Sequence, residues 1–280
     1  MLEIADVTSN LEYRADGIWL APRRSEMSHP EQCQDWYRSV EEDSYWYRHR
    51  AECIVECLRQ FPPTGPVLDV GGGNGHVSLA IQQAGFDPVL VEPSMQAAMN
   101  ARARGIKSVI CATLSDARFQ DDSLSAVGAF DVLEHVEDDA GFVADVHRAL
   151  KPSGRFYLTV PAFRFLWSAY DDHVGHFRRY TLGSLGKLLR DGGFQVEQAS
   201  YLYGLLPLPI FLFRSLPTWL GLRGRRNFQR FQKEYAPSPN LFVRILESLL
   251  RLERHRLRQG GNLAFGSSCL FVARSGHQGS

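Results

Sequence analysis

The chain has 280 residues, 44% of them hydrophobic, with 31 basic and 31 acidic side chains and therefore no net charge. That length buries one large core, or a core with a smaller appendage, and the neutral balance excludes a generic nucleic-acid binder held by phosphate contacts. Cys33, Cys53, Cys57, Cys111 and Cys269 are odd in number and widely scattered, which fits a reducing cytoplasm better than a disulfide framework.

The opening MLEIADVTSN carries acids and no continuous apolar run, so no secretory signal is expected. Trp36 and Tyr37, then Ser44 to Arg50, form an aromatic, basic stretch entering a helix that ends near Gln60. Trp46, Ile54 and Leu58 are its packing face. Cys53 and Cys57 fall at i,i+4 on that helix with no second pair of ligands, a packing position and not a metal site.

The run Pro66 to Gly75 reads as a buried strand (Val67, Leu68, Val70) breaking into a glycine loop at the start of a helix. Gly71, Gly73 and Gly75 let the backbone turn tightly and approach a ligand with no Cβ in the way. The spacing is D-x-G-x-G-x-G, not the G-x-G-x-x-G that cradles a dinucleotide pyrophosphate. The next strand, Phe86 to Val91, ends in Glu92, about 20 residues on, where a carboxylate can accept from both hydroxyls of a ribose.

Ser94 caps a helix to about Arg104, and Lys107 to Cys111 is a third strand. Ser125 to Asp131 gives a fourth, Asp138 to Leu150 a helix, and Gly154 to Val160 a fifth. Thr181 opens a helix stopped by Asp191-Gly192-Gly193, then Phe194 to Ala199 is a sixth strand and Ser268 to Ala273 the last. Strands alternating with helices imply an α/β, doubly wound, mainly parallel sheet. Residues after Arg274 read as a disordered tail.

With Asp69, the three glycines and Glu92 in register, the chain resembles the class I S-adenosylmethionine (SAM) dependent methyltransferases, over roughly residues 40–202 and 266–274. The resemblance implies a Rossmann-like seven-stranded sheet with a helical insertion before the last strand. Carried over residue by residue, it implies that Asp69, Gly71, Gly73 and Gly75 line the methionine portion and sugar edge of SAM, and that Glu92 holds the ribose, with Pro93 and Ser94 shaping the adenine side. Thr113 and Leu114 fall where the family contacts adenine, with Asp116 an alternative. Phe130, Asp131 and His135 occupy the position after the strand that faces the methyl donor in many relatives. In relatives a segment like the aromatic one near Trp46 lies over the cofactor mouth and excludes water.

A second cluster, Leu166 to Thr181, follows the fifth strand, on the side of an open α/β sheet where ligands bind. It resembles the W…D…G-H-x-R-R-Y-T segment of a bacterial methyltransferase subgroup associated with glycan, lipid or secondary metabolism. Trp167, Tyr170, His173, Arg178, Arg179 and Tyr180 are its candidate substrate contacts, the arginines suiting a carboxylate or phosphate. His135 and His176 are the base candidates, with Asp171 and His173 as alternatives. His173 and His176 lack enough further ligands to name a metal site, and the reading requires no metal.

Residues 203–265 separate the last two strands. Pro207, Pro209, Pro217 and Arg214 argue against a spanning helix and favour an interfacial segment or lid. Residues 203–258 hold eleven Lys and Arg against Glu234, Glu247 and Glu253, a net +8 that leaves −8 on the rest. Leu241, Ile245, Leu249 and Leu252 recur at helical spacing between Arg244, Arg251 and Arg254, a pattern that suits an anionic membrane, an anionic lipid-like substrate, a dimer surface or a plain packed helix.

The expected domains are a helical cap at 1–60, a SAM-binding core at 61–202 plus 266–274, and the insertion at 203–265. The expected activity is methyl transfer from SAM to O, N or C of a small, amphipathic or anionic acceptor. A noncatalytic SAM-binding scaffold is the alternative, and a nicotinamide dehydrogenase is disfavoured by the glycine spacing. A cytoplasmic location is expected, with peripheral contact at the inner membrane face and a homodimer left open.

Overall fold

The computed structural model describes residues 4–22, 41, 44–222 and 241–276. Cys33, Trp36 and Tyr37 lie outside the described residues, as do the side chains of Leu241 and Ile245. The strands are β1 (Glu12–Tyr13), β2 (Ile18–Leu20), β3 (Val67–Val70), β4 (Pro88–Val91), β5 (Ser108–Cys111), β6 (Leu124–Phe130), β7 (Leu150–Pro161), β8 (Phe194–Leu202) and β9 (Ser268–Ser275). They form one sheet in the order β1-β2-β5-β4-β3-β6-β7-β9-β8. The strands from β2 across to β7 pair in parallel, and β9 runs antiparallel between β7 and β8.

The longer helices are α1 (Tyr45–Gln60), α2 (His76–Gln83), α3 (Met95–Ala103), α4 (Asp139–Ala149), α5 (Leu182–Asp191) and α6 (Leu241–Arg258). Their starts are chemically marked. The side chains of Ser44, Ser94, Asp138 and Thr181 each accept a backbone N–H from the first turn, satisfying donors that a helix leaves orphaned.

Because side chains alternate across a strand, the sheet builds a core on each face. Leu68, Val70, Val127 and Ala129 pack with Val143, Val146, Leu185 and Leu189 on the side of α4 and α5. Val67, Ala126, Phe130 and Tyr157 pack with Ile54, Leu58, Val77 and Ile81 on the side of α1 and α2.

Two expectations are corrected. Residues 12–20 are a hairpin and not part of a helical cap: Gly17 N–H donates to Arg14 O and Gly17 takes φ +82°, a short loop closed by a left-handed glycine. In α6 the buried face is Leu246, Leu250, Glu253 and Leu257, while Leu249 and Leu252 are 39% and 64% exposed. The helix turns that face onto α1. His49 Nε2 lies 3.0 Å from Glu253 Oε1, the same carboxylate accepts the N–H groups of Tyr203 and Gly204, and Tyr203 stacks on Trp46 with ring centroids 3.9 Å apart. A buried carboxylate with three donors is satisfied, so the register follows Glu253 as well as the leucines. β9 also runs past Arg274, and Gly276 N–H donates to Gly193 O.

Among the described residues no helix is long and apolar enough to cross a membrane. Cys53, Cys57, Cys111 and Cys269 are buried free thiols.

Candidate active site

A cavity of about 670 Å³ opens over the carboxyl ends of β3, β4 and β6, a volume suited to a cofactor together with part of a substrate. Gly71 and Gly73 take φ values of +67° and +53° as the chain leaves β3. A Cβ on Gly71 would stand 2.6 Å from a Val132 methyl, whereas one on Gly73 would meet nothing within 4 Å. The loop is therefore packed from behind at Gly71 and open at Gly73, which lines the cavity.

The acids at this end are set by backbone donors. Glu92 Oε2 accepts Gly73 N–H at 3.0 Å and its Oε1 accepts Ser94 N–H at 2.8 Å. Burial pushes the Glu92 carboxyl up to about 7 despite those two donors. Asp69 accepts the Ser78 hydroxyl at 2.6 Å, and burial raises it to about 6. Each oxygen of Glu92 keeps a lone pair for a ligand hydroxyl. Ala112, Thr113, Leu114 and Ser115 continue the wall; Thr113 caps the short helix Leu114–Ala117 through its bond to Asp116 N–H.

Phe130 and Asp131 form the middle of the cavity. Asp131 sits at φ +59° and accepts the Thr159 hydroxyl at 2.9 Å. Its other oxygen accepts from Arg50 of α1. Burial alone would lower Arg50, but the charge and hydrogen bond of Asp131, together with Tyr203 and Tyr47, outweigh it and hold the guanidinium more firmly protonated than usual. Arg50 in turn lies over the Tyr47 ring, 5.3 Å from its centroid, so Tyr47, Trp46 and Arg50 form one side of the mouth.

The far end comes from the 3₁₀ turn Leu133–His135 and from the segment after the short helix Ala169–Val174. Asp171 is fully buried and accepts from Ser168 N–H, from Arg179 Nε at 2.7 Å and Nη2 at 3.2 Å, and from His176 Nδ1 at 2.9 Å. Burial would raise its carboxyl, yet the bonds from His176 and Arg179 outweigh that and hold it well below the usual carboxylate range. Glu134, 1% exposed, is pushed well above its ordinary value by burial and then by the Asp131 charge.

Of the residues singled out in the sequence, Asp69, Gly71, Gly73, Glu92, Thr113, Leu114, Phe130, His135, Tyr170, His176 and Arg179 line this cavity. Gly75, Trp167, His173, Arg178 and Tyr180 do not. Gly75 caps α2 at φ +82°, where a Cβ would press on Ala101 and Ile106. Trp167 donates to Asp172, and His173 is exposed. Arg178 pairs with Asp139, which also accepts the hydroxyl of Tyr180, buried beneath Leu133. Arg50, Glu134 and Arg214 line the cavity without having been singled out as site residues. Arg50 carried one local signal, its place in the aromatic, basic entry to α1.

The residues present fit SAM: a carboxylate held by the glycine loop, an open approach at Gly73, and a buried Arg50 Nε with no hydrogen-bond partner among the described residues. A family model described as "Methyltransferase domain" matches residues 45–199. A Mycolicibacterium smegmatis protein named a probable S-adenosylmethionine-dependent methyltransferase is 29% identical over 160 residues, 56% of this chain and 62% of that protein; the chain thus spans under two thirds of that relative's length. Among solved structures, Haemonchus contortus phosphoethanolamine N-methyltransferase 2 with S-adenosyl-L-methionine is similar at TM-score 0.53 and 17% identity, over 89% of this chain and 58% of that one. The [4+2]-cyclase SpnF is similar at TM-score 0.55 and 17% identity, over 90% and 99%. At such identities the likeness is one of fold.

Proposed function

The chain belongs to the methyltransferase-domain family, and on that premise we propose that it moves the methyl group of SAM to a small amphipathic acceptor bound in the same cavity. The observation that carries this reading is the continuity of the cavity from Gly73 and Glu92, past Phe130 and Asp131, to His176, Ile210 and Arg214. One end suits a nucleoside and the other offers a histidine, a cation and apolar surface.

Bound SAM supplies a methyl made electrophilic by its sulfonium. The protein's part is to hold donor and acceptor in line and to take a proton where the acceptor carries one. Glu92 would hold the ribose hydroxyls, with the Gly73 amide keeping its carboxylate in place. Thr113 and Leu114 would border the base. Asp131, tied to Thr159 and Arg50, fixes the wall beside Phe130. Trp46 and Tyr47 would cover the mouth and exclude water. Asp171 accepts from His176 Nδ1 and so fixes the tautomer with its lone pair on Nε2, able to receive a proton from an acceptor hydroxyl or amine. His135, with its ring centroid 4.7 Å from that of His176, is the second candidate. Arg179 is a positioning residue, since Asp171 occupies it.

Ile210 and Arg214 support an acceptor with an apolar body and an anionic or polar group. Next to them Leu208, Phe213, Trp219 and Leu220 are more than half exposed, which supports delivery of a lipid-like acceptor at the inner face of a membrane. The test is transfer of label from methyl-labelled SAM into a cell extract divided into organic-soluble, aqueous and macromolecular fractions. Label in the organic fraction is expected. Label in protein or nucleic acid alone would overturn the small-acceptor reading.

A further inference from the structure

We propose that Glu134, His135 and His176 bind a divalent transition-metal ion at the acceptor end of the cavity. The turn after β6 presents Glu134 and His135 side by side, and the segment after Ala169–Val174 brings His176 onto them. One ligand atom from each of the three lies within 4.8 Å of the others. His176 Nε2 is 3.9 Å from Glu134 Oε1. Ligands about 2.1 Å from one ion stand roughly 3 Å apart, so the His176–Glu134 pair must close by about 1 Å and the widest spacing of the cluster by up to about 2 Å, within the reach of side-chain rotations.

Three further observations point to a cation here. Glu134 Oε2 is buried with no hydrogen-bond partner among the described residues. The hydrogen bonds of the neighbouring guanidiniums go to other carboxylates, Arg50 Nη1 to Asp131 and Arg179 to Asp171. A buried carboxylate oxygen left without a donor or an ion is costly. Behind His176, Asp171 accepts from Nδ1 at 2.9 Å and is itself held by Ser168 and Arg179. A carboxylate behind a histidine fixes the ring and turns the other nitrogen into a better ligand.

Two imidazoles and one carboxylate select a divalent transition metal such as zinc, cobalt, manganese or iron over magnesium or calcium. All three residues line the cavity, so the remaining coordination positions face the space assigned to the acceptor and would take its oxygen atoms; with the ion bound, His176 Nε2 is a ligand, so the base role given to it above belongs to the ion-free protein. That role rests on the methyl-transfer reading; the binding of the ion does not. The pair His173-x-x-His176 hides the site in the sequence, because His173 faces solvent and the true companions of His176 lie some forty residues upstream.

The test is titration of the chelator-treated full chain with Co²⁺, read by d–d absorption, alongside calorimetric titration with SAM on the same sample. One Co²⁺ per chain is expected, with affinity reduced about tenfold or more in Glu134→Gln and in His176→Ala and unchanged in His173→Ala. Thermal melts and SAM binding report whether each variant is folded. Absence of d–d bands in a sample that binds SAM would overturn the metal site and leave the methyltransferase reading standing. Equal loss in His173→Ala, or none in folded Glu134→Gln and His176→Ala, would also overturn it. Co²⁺ binding without SAM binding would support the site and remove its assigned role.

Discussion

Replacing Asp171 by Ala removes one buried carboxylate and disturbs three things. Arg179 and His176 each have a side chain 9% exposed; Arg179 loses its counter-charge, His176 the acceptor for Nδ1–H, and Ser168 the acceptor for its backbone N–H. Exposed ion pairs contribute about 0–1 kcal/mol, but Asp171 itself is 0% exposed, and removing one partner of a buried pair costs about 3–5 kcal/mol because a charge is left uncompensated. For a chain of this size each kcal/mol lowers the melting temperature by about 2–4 °C. Asp171→Ala is therefore expected to melt about 6–20 °C below the parent protein and to lose about 3–5 kcal/mol in urea unfolding at neutral pH. Gly73 and Glu92 stand on other elements, so SAM titration of the folded fraction should change little. A stability loss under about 1 kcal/mol would refute the reasoning, since the carboxylate would then behave as a surface group.

Glu92→Gln should weaken SAM binding about tenfold to a hundredfold, the loss of a charge-assisted acceptor for hydroxyls, measured by calorimetry. With the Glu92 carboxyl raised to about 7, SAM affinity is expected to fall as pH drops from 8 to 6, because the protonated group gives up an acceptor site. The same raised value has the opposite sign for ligand-free stability: the folded form holds a proton that the unfolded chain releases, so Glu92's contribution is greatest below about 4.5 and is lost as pH rises to about 7. Gly71→Ala, at φ +67° with Val132 2.6 Å from the new Cβ, should abolish measurable SAM binding; an unchanged dissociation constant would contradict the loop geometry. Leu250→Ala should destabilise by about 2–4 kcal/mol and Leu252→Ala by less than about 0.5 kcal/mol, and comparable losses in urea would reject the seating of α6 on α1.

Local signals carried the parallel core and the glycine-loop end of the cavity. Strand, turn and capping residues are neighbours in sequence, so Val67 to Gly75, Ser94 and Thr181 announce their own geometry, and Glu92 is one strand away from the loop it faces. What depended on distant packing stayed hidden. Arg50 reaches Asp131 only because α1 lies across the mouth, and Glu134 meets His176 only once the segment after β7 folds back over β6. In α6 the spacing of Leu249 and Leu252 gave one face and that of Leu246, Leu250 and Leu257 another, and the choice fell to Glu253, whose donors come from α1 and from the chain after β8. The hairpin at residues 12–20 did carry a local signal, Asp16-Gly17, but strands of two and three residues are too short for alternation to register.

The central claim is that one cavity takes SAM at the Gly73 and Glu92 end and an acceptor at the His176 end. A crystal structure of the protein with S-adenosylhomocysteine tests it most directly. The ribose hydroxyls are expected on Glu92 and the sulfur beside Phe130 and Asp131, turned toward His176. A nucleoside bound away from Glu92, or a sulfur turned away from His176, would contradict it.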